Sequence, residues 1–205
     1  MRALPSPLLV ITDRHQARQP IEAIAESFAR AGGRWLLLRD KDLEPAERRS
    51  LADRLNTIAR RHWMHFSISR DIDLAAEYGA SIHLQSAEAV DAVRRRLGRE
   101  AFIGVSAHGL GDVEAAAAAG ADYVTLSPVF LTASKPGYGP ALGVAGIRDA
   151  TKAGIAVVAL GGVTAGLARS CLDAGAAGVA VMGEIMRSSD PGRSTSGLLA
   201  ACIAA

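Results

Sequence analysis

The chain of 205 residues has little of the features that mark several specialised classes of protein. Its formal net charge is only +2, which is too small to indicate a nucleic-acid or membrane-surface partner. Cysteine occurs only as Cys171 and Cys202, with neither metal-ligand spacing nor the pattern of a disulfide framework. We therefore expect a reducing, cytoplasmic location and no nucleic-acid or membrane partner.

Long hydrophobic runs are also missing. The first apolar run, Leu8–Ile11, is closely followed by Asp13 and is too short for a signal peptide or a transmembrane helix. Lysine is scarce, since only Lys41, Lys135 and Lys152 occur. The remaining composition, 49% hydrophobic and 21% charged, is typical of a globular protein, and the length predicts a single domain over residues 1–205.

Short apolar or β-branched runs recur along the chain and predict eight strands, with helical patterns between most of them. The alternation predicts either a closed (β/α)8 TIM barrel or an open, doubly wound sheet. The average of about 26 residues per strand-helix unit is small but sufficient for the closed barrel, which is the fold we expect. The predicted strands are Leu8–Thr12, Trp35–Arg39, His65–Ile68, Ser81–Leu84, Phe102–Ser106, Tyr123–Ser127, Ala156–Leu160 and Gly178–Met182.

Glycine marks the junctions between helices and the strands that follow, because glycine suits the left-handed position that ends a helix. From Gly79 onward, the longest interval between these glycines runs from Gly120 to Gly154 and contains the stretch LSPVFLTASKPGYGPALG, Leu126–Gly143. Its extra residues follow strand six, so they lie on the C-terminal face, where TIM barrels place their active sites. The junction glycines are Gly32, Gly79, Gly98, Gly120, Gly154 and Gly175.

Polar side chains follow most of the predicted strands and would face the same mouth of a barrel. No Ser-His-Asp or Cys-His arrangement stands out among them, and the histidines show no metal-ligand spacing. We expect His83 and His108 to make structural hydrogen bonds. In strand order, the candidate residues are Arg39 and Lys41; Ser69 and Arg70; Glu88; Ser106; and Thr132, Ser134 and Lys135.

Two glycine turns predict a phosphate site at this mouth. Gly161-Gly162 follows strand seven and Gly183 follows strand eight, each before a helix. Glycine lets backbone N–H groups approach an anion, and a helix N-terminus favours negative charge. Tight turns alone would explain the same glycines. A second, larger anion such as a diphosphate would suit the cations on this rim, which are Arg39, Lys41 and Lys135.

Five motifs follow one another between Leu8 and Ile185: R-D-K, I-G-V-S-A-H, S-P-V-F-L-T-A-S-K-P-G, A-L-G-G-V and A-G-A-A-G-V-A-V-M. Each is weak by itself, but their order and spacing together resemble the thiamine-phosphate synthase and TenI superfamily. The resemblance implies a TIM barrel that joins hydroxymethylpyrimidine diphosphate to a thiazole phosphate with release of pyrophosphate. It also implies Mg²⁺ as cofactor.

The resemblance divides the candidate residues between the two substrates. Departure of pyrophosphate would leave a pyrimidine methyl cation that the thiazole nitrogen captures, a step that preorganised cations stabilise. The residues implied to hold the pyrimidine diphosphate are Arg39, Lys41, Ser106 and Lys135. Those implied to hold the thiazole phosphate are Thr132, Ala133, Ser134, Gly162, Met182 and Gly183. Gly161 is a further candidate for substrate binding.

The sequence departs from the family pattern mainly in the diphosphate and metal half. Leu37 replaces a glutamine, Ser69-Arg70 replaces Asn-Asp, and Glu88 is the nearest counterpart of a second magnesium carboxylate. We expect Arg70 to enter the diphosphate region and to neutralise charge directly.

A TenI-like protein stays open as the alternative, either a thiazole tautomerase-type enzyme or a non-catalytic thiazole-phosphate binder. Pro128 stands where the tautomerase motif has its histidine. The expected partners are small phosphorylated molecules, and a homo-oligomer is compatible with the sequence.

Overall fold

The computed structural model describes residues 2–132 and 139–203, and these form a closed barrel of parallel strands. The strands pair in chain order, and β8 closes the barrel against β1. The prediction of a closed TIM barrel is therefore confirmed, and the alternative of an open, doubly wound sheet is wrong. The strands are β1 Leu8–Ile11, β2 Trp35–Leu38, β3 His65–Ser69, β4 Ser81–Leu84, β5 Ile103–Ala107, β6 Tyr123–Leu126, β7 Ala156–Leu160 and β8 Gly178–Val181.

Helices follow the strands and cover the outside of the barrel. The first helix buries an apolar face, with Ile21, Ile24 and Phe28 in the core. The last helix packs against α1 and α7. The helices are α1 Ile21–Arg30, α2 Pro45–Arg61, α3 Ile72–Tyr78, α4 Val90–Leu97, α5 Leu110–Ala118, α6 Gly143–Ala150, α7 Ala165–Asp173, α8 Gly183–Met186 and α9 Pro191–Ile203.

Side chains on each strand alternate between two cores, as the strand geometry requires. In β1, Leu8 and Val10 point outward and pack with the helices, whereas Leu9 and Ile11 point into the barrel. Because parallel strands in a barrel are covered on both faces, they are apolar along their whole length. This explains why the strands stand out in the sequence as short continuous apolar runs.

One side of the barrel interior is polar, and its groups are hydrogen-bonded to one another. Trp35 Nε1 donates to Ser67 Oγ at 3.0 Å, and His65 Nε2 lies 2.6 Å from Ser81 Oγ. Burial lowers the pKa of His65 to about 4, because charging an imidazole away from water is unfavourable. His65 is therefore neutral near neutral pH.

The connection between β6 and α6 covers residues 127–142 and is the longest between a strand and the helix that follows it. Its described residues Ser127, Pro128, Leu131 and Thr132 lie at the C-terminal mouth, as predicted. The predicted roles of Ala133, Ser134 and Lys135 fall at 133–138, outside the described residues. Within the described ranges, no helix has the length and hydrophobicity needed to cross a membrane.

Candidate active site

A cavity of about 310 Å³ opens at the C-terminal mouth, between the ends of β6, β7, β8 and β2. It brings together six of the residues predicted from the sequence. Hydrophobic side chains of the barrel interior, including Ile11 and Leu160, form its floor. The six predicted residues are Arg39, Thr132, Gly161, Gly162, Met182 and Gly183.

The Gly161-Gly162 turn is shaped by the long connection after β6, which passes directly over it. Phe130 N donates to Gly161 O at 2.9 Å. Both glycines have positive φ, +95° and +65°. A Cβ on Gly162 would lie 2.5 Å from Leu131 O, closer than any real Cβ contact. Close packing thus requires glycine here, and it also places the turn and Thr132 on the wall of the same cavity.

Gly183 begins α8, directly after β8. A Cβ on Gly183 would collide with the guanidinium of Arg187, whose Nη1, Cζ and Nη2 are the three nearest atoms. Arg187 is exposed and also lines the cavity. Our sequence reasoning missed this arginine, although its spacing of four residues from Gly183 puts both on one side of a helical turn.

A hydrogen-bonded network at the ends of β1 and β2 holds Arg39. Arg39 N donates to Thr12 Oγ1 at 2.9 Å, and Thr12 Oγ1 donates to the buried Asp40 at 2.6 Å. The Arg39 guanidinium lies 3.5 Å from Asp13 Oδ2. Thr12 and Asp13 were missed in the sequence, where a Thr-Asp pair after a strand is a weak signal. Lys41 is exposed beyond this network.

Ser106, another of the predicted residues, lies beside His83 on the polar side of the interior. His83 Nε2 lies 3.1 Å from Ser106 Oγ and 3.2 Å from Thr125 Oγ1, and His83 Nδ1 lies 3.1 Å from Tyr123 Oη. The expected structural hydrogen bonds of His83 are confirmed. Burial, and secondarily the charge of Arg70, lowers its pKa to about 4, so a neutral imidazole orients Ser106.

Arg70 stands beside this group at the end of β3. Its N–H donates to His83 O at 2.9 Å, and its φ is +66°. A side chain other than glycine is strained in this region. Such strain is more common at functional positions than elsewhere. The Arg70 side chain is exposed, and its charge is the second cause, after burial, of the lowered pKa of His83.

The described residues offer a poor donor set for a resident metal ion. Among residues 2–132 and 139–203, no three Asp, Glu, His or Cys side chains are grouped as a metal site would need. Glu88 is exposed on a short 3₁₀ turn. Ser69 is buried, and its carbonyl accepts a hydrogen bond from Arg48 Nη2 at 2.7 Å. The donors at these positions do not fit a magnesium ion held by the protein.

Comparisons with known proteins agree with this geometry. The model of the thiamine monophosphate synthase family matches residues 8–185. A relative from Geobacter sulfurreducens is 39% identical over 197 residues, covering 94% of this chain and 92% of its own. The thiamine-phosphate synthase of Geobacillus thermodenitrificans is 32% identical over 188 residues, covering 88% and 85% of the two chains.

A solved structure is also similar. The thiamine phosphate pyrophosphorylase from Pyrococcus furiosus superimposes with a TM-score of 0.83 at 26% identity. The superposition covers 95% of this chain and 94% of that one. Sequence and structure therefore lead to the same assignment: the chain belongs to the thiamine monophosphate synthase family.

Proposed function

We propose that this chain is a transferase of the thiamine-phosphate synthase type. It joins hydroxymethylpyrimidine diphosphate to a thiazole phosphate and releases pyrophosphate, acting on these small molecules in the cytoplasm. Membership of the family over residues 8–185 supports this reaction. The observation that carries the proposal is the mouth cavity, where two glycine turns lie beside Arg39.

The thiazole phosphate would occupy the cavity formed by the turns after β7 and β8. Gly162 and Gly183 present backbone there, and Thr132 adds a hydroxyl. Backbone N–H groups and hydroxyls are suitable donors to phosphate oxygens. The apolar floor at Ile11 and Leu160 would suit a thiazole ring.

The diphosphate would lie toward β2, β3 and β5. Asp13 and Thr12 hold Arg39 in place, so that its charge is preorganised for a departing pyrophosphate. Ser106 is oriented by neutral His83. We assign Lys41, Arg70 and Lys135 to the same anion, as cations that stabilise the negative charge on the leaving group.

Magnesium does not enter the proposed steps. The resemblance implies Mg²⁺, yet Ser69, Arg70 and Glu88 do not supply a fitting donor set. We infer that protein cations carry most of the charge neutralisation.

The TenI-like alternative keeps a specific observation in its favour. Thr132, Gly162, Met182 and Gly183, which are implied to hold the thiazole phosphate, line one cavity, whereas the metal half is altered at Ser69-Arg70 and Glu88. A thiazole-phosphate binder or a tautomerase-type enzyme would need only the thiazole-phosphate cavity and not the diphosphate and metal region.

One assay separates these functions. The purified protein is incubated with both substrates, with and without Mg²⁺, and thiamine phosphate is measured. Formation of thiamine phosphate supports the synthase. Tight binding of the thiazole phosphate without any product would contradict it and favour the TenI-like alternative.

Lys135→Ala should weaken diphosphate binding about ten- to a hundredfold, since a charge-assisted hydrogen bond contributes roughly 1.5–3 kcal/mol. Thiazole-phosphate binding should change much less. Titration of each ligand separately tests this, with Lys152→Ala as control, because Lys152 pairs with Asp149 on the surface. Equal losses for both ligands would show that Lys135 does not distinguish the two subsites.

Arg70 allows a matched pair of variants. Arg70→Ala and Arg70→Gly should each weaken diphosphate binding about tenfold by removing one cation. Only Arg70→Gly should also raise the free energy of unfolding, by about 1 kcal/mol, since glycine tolerates a φ of +66°. Diphosphate titration and urea denaturation measure the two effects. Unchanged diphosphate affinity in both variants would remove Arg70 from the site.

A further inference from the structure

Arg187 fills a space that Gly183 leaves open. All three atoms nearest to a Cβ built on Gly183 belong to the Arg187 guanidinium. The guanidinium therefore lies against the backbone of the turn after β8, on the wall of the mouth cavity. A larger residue at position 183 would displace it.

Hydrogen bonds fix the direction of this guanidinium. Arg187 Nη1 donates to Gln16 Oε1. Gln16 Nε2 in turn donates to Asp13 Oδ2 at 2.7 Å, and Asp13 is the partner of Arg39. The connection after β1 thus links the two arginines that line the cavity. Glu184 also lines the cavity. The two arginines outnumber this one acidic residue.

The negative charge of the proposed ligand calls for a positive side chain in the cavity. The residues assigned above to the thiazole phosphate carry no positive side chain, whereas a phosphate monoester carries nearly two negative charges at neutral pH. A guanidinium presents several N–H donors in a fork that matches phosphate oxygens. Arg187 is held in the same cavity and can supply that charge.

We propose that Arg187 is a phosphate-binding residue of the thiazole-phosphate subsite, positioned by Gln16 and by the missing side chain of Gly183. This inference rests on the proposed function, because it concerns one ligand of that site. Arg187 would accordingly set the preference for a phosphorylated thiazole over its alcohol.

Calorimetric titration of wild type and Arg187→Gln tests the proposal, with thiazole phosphate and the unphosphorylated thiazole alcohol as ligands. We expect Arg187→Gln to bind the phosphate ester about ten- to a hundredfold more weakly and the alcohol with unchanged affinity. Arg169→Gln is the control, since Arg169 pairs with Asp173 on the surface of α7. It should bind both ligands as wild type does.

The outcomes separate this inference from the proposed function. If wild type prefers the ester and Arg187→Gln keeps that preference, the role of Arg187 is wrong while the thiazole-phosphate site stands. If wild type does not prefer the ester, both are wrong.

A double-mutant cycle tests the link to Gly183. Gly183→Ala should weaken ester binding strongly in the wild-type background but much less in Arg187→Gln, because the guanidinium that it displaces is already gone. Equal losses in the two backgrounds would overturn the positioning role of Gly183.

Discussion

Gly162→Ala should abolish measurable thiazole-phosphate binding and lower the free energy of unfolding by about 3 kcal/mol. An alanine at a φ of +65° costs about 1–2 kcal/mol in backbone strain. Its Cβ would also lie 2.5 Å from Leu131 O and 2.8 Å from Phe130 Cβ. Relief of these contacts has to move the connection after β6, which adds an overpacking cost of about 1–3 kcal/mol and deforms the cavity wall.

Gly79→Ala is the matched control for this prediction. Gly79 has a similar φ of +60°, but nothing lies within 4 Å of its Cβ position. It should lose about 1 kcal/mol of stability through strain alone and should leave ligand binding unchanged. Urea denaturation and calorimetric titration of both variants give the comparison. Equal stability losses would show that the close approach of Phe130 and Leu131 to Gly162 is unimportant.

Acid should destabilise the barrel well above the pH at which its carboxylates titrate. Burial lowers the pKa of both His65 and His83 from 6.5 to about 4. Between these values the unfolded chain binds more protons than the folded one, so the free energy of unfolding falls as pH falls. Each histidine should remove about 2 kcal/mol by pH 5, because one pKa unit corresponds to about 1.4 kcal/mol.

Urea denaturation between pH 7.5 and 5 checks this prediction. Burial opposes the ionisation of Glu22, but its hydrogen bond to Arg54 outweighs this and lowers the pKa of Glu22, so this carboxylate keeps its stabilising effect throughout that window. A His65→Gln variant should show about half the loss of wild type, since it keeps only one of the two histidines whose pKa is lowered to about 4. A constant free energy of unfolding from pH 6.5 to 5 would contradict the assignment of buried neutral histidines.

The sequence was sufficient for the fold because its signals are local. Each predicted strand matches the observed one to within a residue at either end, as Phe102–Ser106 against Ile103–Ala107 illustrates. Parallel strands buried on both faces are continuous apolar runs. The six junction glycines all have positive φ, since each ends a helix before a strand.

The parts of the site that were missed depend on pairs far apart in the chain. Arg187 meets Gln16 across 171 positions, and Asp13 meets Arg39 between neighbouring strands. Periodicity reports which face of an element is buried, not which loop lies opposite. The barrel closes β8 against β1, and only that closure brings the connections after these two strands together.

The barrel interior also gives the protein a built-in optical probe. Of the two tryptophans, Trp35 is fully buried and Trp63 is 88% exposed. The indole of Trp35 donates to Ser67 and lies 4.9 Å from the ring of Tyr123, which itself contacts His83. Its emission should therefore be shielded from aqueous quenchers and sensitive to the packing beneath the mouth. Fluorescence that an aqueous quencher removes should come from the exposed Trp63. The emission of the two tryptophans can therefore be distinguished without an added label.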